Sequence, residues 1–304
     1  MNLAVPCSLQ ISLFLMIVIG IILRKKNYID DAGRQCLTNL CVQIIIPCNI
    51  IKSCLTPLGS NVLQSCGKIF AVGFLMQLVC LLFNTFLFRS FSTQRKKVLQ
   101  YCTIVSNGGF LGNPVAEGIY GNLGLLYASV FLIPMRMVMW SVGTSYFIEK
   151  KTDKKAVFKN ILTHPCLVAV YIGLFLMVSG IALPSFVSSP IIYIGNCNAA
   201  ITMFIIGTIL ADGRFTAIFN RQSAAFSVFR LILLPAIAYL FCQLLALDSI
   251  GSGVSVMMTG MPAGATAAIF AAQYHSDADF ATHCVVLSTI LSMFTIPIWC
   301  YLIG

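Results

Sequence analysis

Ten apolar stretches of about 20 residues follow one another along the chain, separated by short polar connections. A helical stretch of this length matches the hydrocarbon thickness of a bilayer and satisfies its own backbone hydrogen bonds there. The pattern therefore predicts an all-α polytopic membrane protein with ten transmembrane helices, called spans one to ten below. The predicted spans cover roughly 4–23, 37–57, 68–88, 98–121, 123–148, 162–180, 190–210, 224–246, 253–273 and 280–303.

Composition supports the same class. The 304 residues are 59% hydrophobic and only 9% charged, with a mean hydropathy of +0.92, which leaves too little polar surface to enclose a soluble core. The net charge of +10 does not indicate a nucleic-acid partner, because the basic residues form short clusters between apolar runs. The 13 cysteines lie singly in apolar segments without a CxxC pair, so no metal site and no cofactor are predicted.

Basic residues are distributed unevenly among the connections. Fifteen of the 19 lysines and arginines follow odd-numbered spans, only Lys52 and Lys68 lie on the other side, and Arg136 and Arg230 fall within spans. Because basic loops stay in the cytoplasm, both termini are predicted on the non-cytoplasmic side of the plasma (cell inner) membrane. Residues 1–23 lack a basic leader, so the first span is expected to be retained and not cleaved as a signal peptide.

The longest polar connection, 149–161, divides the chain into two sets of five spans, 1–148 and 162–304. An odd number of spans in each half predicts two repeats that are inverted relative to each other. Gly112-Asn113-Pro114 in span four and Gly260-Met261-Pro262 in span nine share the form G-x-P. Paired interrupted spans of this kind are typical of the substrate site in an inverted-repeat secondary transporter.

The first of these segments cannot form an uninterrupted helix. Pro114 has no N–H and crowds the preceding turn, and Gly108, Gly109 and Gly112 loosen the backbone before it. Broken backbone is tolerated at membrane depth only where protein covers it or where it lines a cavity. The half-helix after a break begins with free N–H groups and the positive end of its dipole, which favours an anion. We therefore predict that the two breaks form the two halves of an anion site.

The same residues resemble a known family. Asn107, Gly112, Pro114, Tyr120 and Gly121 match the pattern N-x-x-x-x-G-x-P-x-x-x-x-x-Y-G of the auxin efflux carriers, which include the plant PIN carriers and shorter bacterial permeases. The resemblance extends to span two and span nine, at Pro47, Pro262, Gly264, Phe270, Ala271, Tyr274, Asp277 and Asp279. The short connection after span five is similar to that of the short, prokaryotic permeases.

This resemblance implies the ten-helix inverted-repeat fold of the sodium/proton antiporters and bile-acid symporters. Spans 1, 2, 6 and 7 would form a scaffold that supports a homodimer, and spans 3–5 and 8–10 would form a moving core in which broken spans 4 and 9 cross. The implied function is secondary-active transport of a small organic anion, a carboxylate, by an elevator-like movement of the core. A proton and a sodium ion both remain open as the coupling ion.

The expected substrate-binding residues surround the two breaks. They are Asn107, Gly112, Asn113, Pro114, Thr259, Gly260, Pro262, Gly264 and Arg136. Asn107 and Asn113 either donate to the substrate or cap backbone freed by the break, and Thr259 offers a hydroxyl at the second break. The glycines and prolines are expected to shape the crossing.

Three charged residues within spans require an explanation. Arg136, halfway along span five, is expected either to balance the charge of the substrate or to pair with Glu117. Glu117 is a candidate carrier of a coupling proton. Arg230, about two turns from the cytoplasmic end of span eight, is expected to snorkel toward the membrane surface.

Three other classes of protein were compared with the sequence: an intramembrane enzyme, a sodium-coupled symporter and a membrane sensor. An intramembrane enzyme would need catalytic groups at depth, and the chain has no H-E-x-x-H and no pair of aspartates within its spans. A sodium-coupled symporter of the bile-acid type and a non-transporting membrane sensor remain alternatives, because both would use the same fold and binding residues.

Overall fold

The computed structural model describes residues 4–55, 61–147, 159, 162–212, 220–274 and 276–303. Every regular element in these ranges is helical. Helices α1 to α11 cover Ala4–Lys25, Asp31–Cys54, Val62–Phe86, Thr93–Ile104, Asn113–Val138, Pro165–Ser179, Ser185–Ala211, Arg221–Leu244, Ser249–Thr259, Thr266–Gln273 and Ala278–Ile303. The predicted linker 149–161, apart from Lys159, and His275 lie outside the described residues.

Seven helical stretches within the described ranges are long and apolar enough to cross a membrane. They are α1, α2, α3, the stretch Gly108–Gly143 that contains α5, and α7, α8 and α11. Helix α6 is apolar but has only 15 residues. The chain is therefore a polytopic membrane protein. Predicted spans four and nine do not form continuous helices, because each is interrupted, between α4 and α5 and between α9 and α10.

The stretch Gly108–Gly143 is bent back on itself. Gly121 has φ +64° and ψ −155°, and a Cβ placed on Gly124 would lie 2.5 Å from the carbonyl oxygen of Ala116. Positions eight residues apart on a straight helix are about 12 Å apart along its axis, so the chain reverses at Gly121. Only glycine adopts this backbone conformation readily.

Three wider π-helical turns in the described chain stand directly before prolines. The turns Cys41–Ile45, Gly108–Gly112 and Phe229–Leu233 end two residues before Pro47, Pro114 and Pro235. Proline offers no N–H to the carbonyl four residues earlier, so the preceding turn widens. The sequence thereby places irregular backbone within α2, at the start of α5 and within α8.

The helices pack in two groups. In the first group α1 lies along α7, and α2 packs against α6 and α7. Glycines allow α1 and α7 to touch: a Cβ on Gly20 would lie 2.6 Å from the carbonyl oxygen of Phe204. In the second group α3 packs against α5 and α8, and α10 packs against α11. The groups meet where the Gly108–Gly112 turn contacts α7 and α5 contacts α2, beside the first break.

Candidate functional site

The two interrupted segments lie against each other as short antiparallel strands. The backbone N–H of Asn107 donates to the carbonyl of Pro262 at 2.8 Å, and the N–H of Gly264 donates to the carbonyl of Val105 at 3.0 Å. We call these segments, 105–107 and 261–264, the crossing. Backbone groups freed by each break are thus satisfied by the other, as buried backbone within a membrane requires.

Two glycines permit this close approach. A Cβ on Gly264 would lie 2.8 Å from Cγ1 and 3.3 Å from the carbonyl oxygen of Val105, and a Cβ on Gly112 would lie 2.8 Å from the sulfur of Met258. Gly260 differs, because the nearest atom to an added Cβ would be 3.5 Å away, an ordinary contact. The glycine of the G-x-P motif is therefore needed for close packing at the first break, as Gly112, but not at the second, as Gly260.

Side chains form hydrogen bonds with the backbone N–H and carbonyl groups near the crossing that do not bond to the opposite segment. The N–H of Ser106 donates to the sulfur of Met135 at 3.4 Å, and the N–H of Ala263 donates to Oγ of Ser288 at 3.1 Å. The guanidinium of Arg230 donates to two carbonyls, one beside each break. The crossing is therefore held by α5, α8 and α11 as well as by its own hydrogen bonds.

Arg230 does not snorkel, so that prediction was wrong. Its side chain is buried, Nε donates to the carbonyl of Met261 at 3.0 Å, and Nη1 donates to the carbonyl of Thr103 at 2.7 Å. The π-helical turn before Pro235 contains Arg230, and the orphan carbonyls at the crossing attract its charge inward instead of toward the membrane surface.

The three polar residues predicted at the breaks differ in their bonding. The Asn107 side chain is buried at the crossing, with 3% of its surface exposed. Asn113 is fully buried, and neither atom of its amide group has a partner among the described residues. The hydroxyl of Thr259 donates to the carbonyl of Ser255 one turn earlier, so its proton is already used within α9. The two asparagines are therefore the better candidates for contact with a ligand.

Arg136 does not pair with Glu117, which removes one of its two expected roles. Glu117 instead accepts from Nζ of Lys52 at 2.5 Å and from Nδ2 of Asn49 at 3.0 Å, both on α2. Arg136 is buried, and its Nη1 has no partner among the described residues. Met135, directly before it, touches Ser106 through its sulfur, whereas the charge of Arg136 acts on His164 and Cys166 at the start of α6.

A cavity of about 480 Å³ leads to this region. It extends from Arg34 and Asp212 at one end to Phe110, Ala265 and Thr266 beside the crossing. Its walls come from both packing groups, α2 and α7 on one side and α10 and α11 on the other. The cavity is large enough for a small solute, and its inner end lies next to the crossing, but none of the nine predicted binding residues lines it.

Four charged side chains form a network at the mouth of the cavity. Arg24 contacts Asp212 at 2.9 Å and Asp31 at 2.8 Å, while Arg34 contacts the same two carboxylates at 2.5 Å and 2.7 Å. The network ties the ends of α1, α2 and α7 together. It accounts for part of the basic cluster that follows span one.

Comparison with known proteins decides the family. The family model described as "Membrane transport protein" matches residues 8–300, nearly the whole chain. The chain belongs to the membrane transport protein family. This is the auxin efflux carrier family that its motifs resemble.

Members of the membrane transport protein family from archaea and bacteria align with the chain end to end. An uncharacterized transporter of Methanothermobacter thermautotrophicus is 23% identical over 95% of both chains. A second uncharacterized transporter, from Methanocaldococcus jannaschii, is 21% identical over 97% of this chain and 98% of its own. The uncharacterized transporter YfdV of Escherichia coli is 20% identical over 91% of both.

The geometry explains why this membrane transport protein carries its motif residues. Asn107 is part of the crossing, Gly112 allows the turn after it to pack against Met258, and Gly121 provides the chain reversal after span four. Phe270 and Tyr274 pack edge to face in an aromatic cluster with Tyr101 and Phe147 beneath the crossing, at centroid distances of 5.5–6.4 Å. The hydroxyls of Tyr101 and Thr266 are 2.9 Å apart, which links the two broken spans again.

Two groups escaped prediction from the sequence. Arg230 was assigned to the membrane surface, although a cation ahead of a proline within an apolar span is also a signal for capping broken backbone. Lys52 was counted only as a loop charge and turns out to bind Glu117. No local pattern pairs residues 65 positions apart, so the second contact required the fold.

Proposed function

We propose that this protein is a secondary-active carrier of a small organic carboxylate that binds at the crossing and is moved by alternating access. The observation that carries the proposal is the antiparallel pairing of the two breaks next to a cavity that reaches them from one end. Carriers with paired broken spans bind substrate where such breaks meet. Membership in a family of membrane transport proteins supports the same function.

The proposed architecture is ten spans in an inverted five-plus-five repeat. Three observations support it: the reversal at Gly121, which divides the longest apolar stretch into parts of spans four and five, and the two breaks that divide spans four and nine. Helices α1, α2, α6 and α7 would be the scaffold, able to form a homodimer, and the other helices the moving core. The charge distribution supports an orientation with both termini on the non-cytoplasmic side of the plasma membrane.

Charge near the crossing favours an anion. Helix α10 and the turn that precedes α5 begin here with the positive ends of their dipoles, and the amide nitrogen of Asn113 has no partner among the described residues. Arg136 directly follows Met135, which touches Ser106, and adds a full positive charge with one nitrogen that no described residue binds. A carboxylate satisfies both the charge and the donors, whereas a cation satisfies neither.

The end of the crossing opposite the cavity is closed by polar contacts between the two groups of helices. Glu117 on α5 binds Lys52 and Asn49 on α2, and Nζ of Lys52 also donates to Oδ1 of Asn196 on α7 at 2.8 Å. With the charge distribution of the loops, this arrangement corresponds to a state open toward the cytoplasm. Transport would require these contacts to break when the core moves.

Uptake into proteoliposomes tests the proposed function. We expect at least one radiolabelled mono- or dicarboxylate in a panel to accumulate under an imposed pH or sodium gradient, and the effective gradient identifies the coupling ion. Asn107→Ala is expected to lower uptake about tenfold, the cost of one hydrogen bond to a charged group. Asn39→Ala, at an exposed position of α2, is the matched control and should leave uptake unchanged.

Other outcomes of this experiment separate the alternatives. Flux that only sodium drives would favour a symporter of the bile-acid type. Saturable binding of a carboxylate by folded protein without any flux would favour a sensor. Flux of amines but not of carboxylates would contradict the proposed anion site.

Glu117 is the proposed site of proton coupling. Protonation would neutralise the carboxylate, weaken its contact with Lys52 and free the core to move. We expect Glu117→Gln to lose uptake driven by a pH gradient while it retains exchange of labelled for unlabelled substrate at equal pH. An equal loss in both assays would show that Glu117 closes the site but does not carry the proton.

A further inference from the structure

Arg230 occupies an unusual position for a charge in an apolar helix. Its side chain, on α8, is 4% exposed, and no carboxylate among the described residues forms an ion pair with it. Its donors go instead to the backbone carbonyls of Thr103 and Met261. These carbonyls lie beside different breaks, 158 positions apart in the sequence.

The pairing of the breaks itself creates the acceptor at Thr103. In a continuous helix the carbonyl of Thr103 would accept from the N–H of Asn107, four residues later. That N–H donates across the crossing to Pro262 instead. The guanidinium of Arg230 takes its place at 2.7 Å, so it compensates directly for the bond that the crossing removes.

The same contact has an electrostatic consequence for the site. Helices α4 and α9 end at the crossing, and each helix end carries about half a negative charge. Two such ends close to an anion would repel it. A buried guanidinium bonded to both ends cancels this repulsion and leaves the positive ends of the following half-helices to act on the substrate.

The backbone around Arg230 holds it in place. Pro235 supplies no N–H to the carbonyl of Leu231, and Nε1 of Trp299 on α11 donates to that carbonyl at 2.9 Å. Gly260 packs against the same proline, with an added Cβ 3.5 Å from its ring. The turn that contains Arg230 is thus fixed between α11 and the second break.

We propose that Arg230 is a positioning residue for transport: it ties the two broken spans together and gives the crossing the charge that admits an anion. The second part rests on the proposed carboxylate transport, and the first part does not. The two parts therefore need separate measurements.

Hydrogen–deuterium exchange tests the tie between the breaks. Arg230→Gln keeps an amide donor but loses the charge and one of the two bonds. We expect exchange to accelerate about tenfold in peptides covering both 103–107 and 261–264, and to stay unchanged in α1. Arg221→Gln, at the exposed start of the same helix, is the control. Unchanged protection of both segments in Arg230→Gln would overturn the inference, whether or not the protein transports anything.

Transport kinetics test the charge. For a carboxylate that the wild type carries, Arg230→Gln should raise KM about tenfold, while Arg230→Lys should stay within roughly threefold because it retains the charge. A purely structural role would lower the maximal rate and leave KM unchanged. Equal KM values for the glutamine and lysine variants would refute the electrostatic role. If the glutamine variant does not fold, the lysine variant provides the test, and a KM raised more than roughly threefold in it contradicts the inference.

Discussion

Arg136→Gln is expected to abolish carboxylate uptake and, at the same time, to make the protein more stable. Loss of a charge that a bound anion contacts directly should lower uptake roughly a hundredfold. In the empty protein the same charge is buried with Nη1 unpartnered among the described residues, which costs about 1–3 kcal/mol of stability. The melting temperature should therefore rise while transport is lost.

This pair of opposite effects separates a substrate contact from a structural ion pair. Removing one member of a structural ion pair would destabilise the protein, as we expect for Lys52→Met at the contact with Glu117. The control is Arg89→Gln, an exposed arginine beyond α3 that stacks on Phe86. Wild-type uptake by Arg136→Gln, or a fall in its melting temperature, would contradict the assigned role.

Gly264→Ala is expected to disrupt the crossing. The new methyl group would meet Cγ1 of Val105 at 2.8 Å and its carbonyl oxygen at 3.3 Å, and the Gly264 N–H bonds to that same oxygen. Overpacking of this kind costs about 1–3 kcal/mol, and forcing the segments apart removes the substrate site. We expect a lower melting temperature and uptake at least about tenfold below wild type.

Gly67→Ala on α3 is the control, because no atom lies within 4 Å of a Cβ placed there. It should retain wild-type uptake. Val105→Ala removes the methyl groups that would clash, so the double variant Val105→Ala/Gly264→Ala should recover part of the lost stability. Additive losses in the double variant would show that the two residues do not meet as described.

Local sequence rules predicted the interruptions but not how they are bridged. Pro114 and Pro262 predict broken helices wherever they occur in apolar spans, because a missing N–H and ring crowding are properties of the residue itself. Pro47, Pro114 and Pro235 each follow a widened turn in a helix that continues, and the first break lies at 105–107, seven residues before Pro114. Pro262, in contrast, lies within the second break itself, so the prolines alone do not locate both breaks.

Local sequence rules did not predict contacts between residues that are far apart in the sequence. Gly260 and Gly264 were given the same role, yet only Gly264 faces the opposite backbone. Arg136 and Glu117 were considered as a pair because both lie in neighbouring spans, but Lys52 on α2 lies closer to the carboxylate. Which faces of two helices meet depends on packing of the whole chain, and a single sequence does not encode that in any local pattern.

In the proposed site, a carboxylate binds at the crossing beside Asn107, and Arg136 supplies the positive charge. The most direct measurement is the anomalous diffraction of crystals that contain a transported carboxylate substituted with bromine. We expect a bromine peak beside the crossing, near Asn107, Phe110 and Thr266, that disappears in Asn107→Ala crystals. A peak confined to the mouth of the cavity near Arg34 and Asp212, unchanged by that substitution, would rule out binding at the crossing.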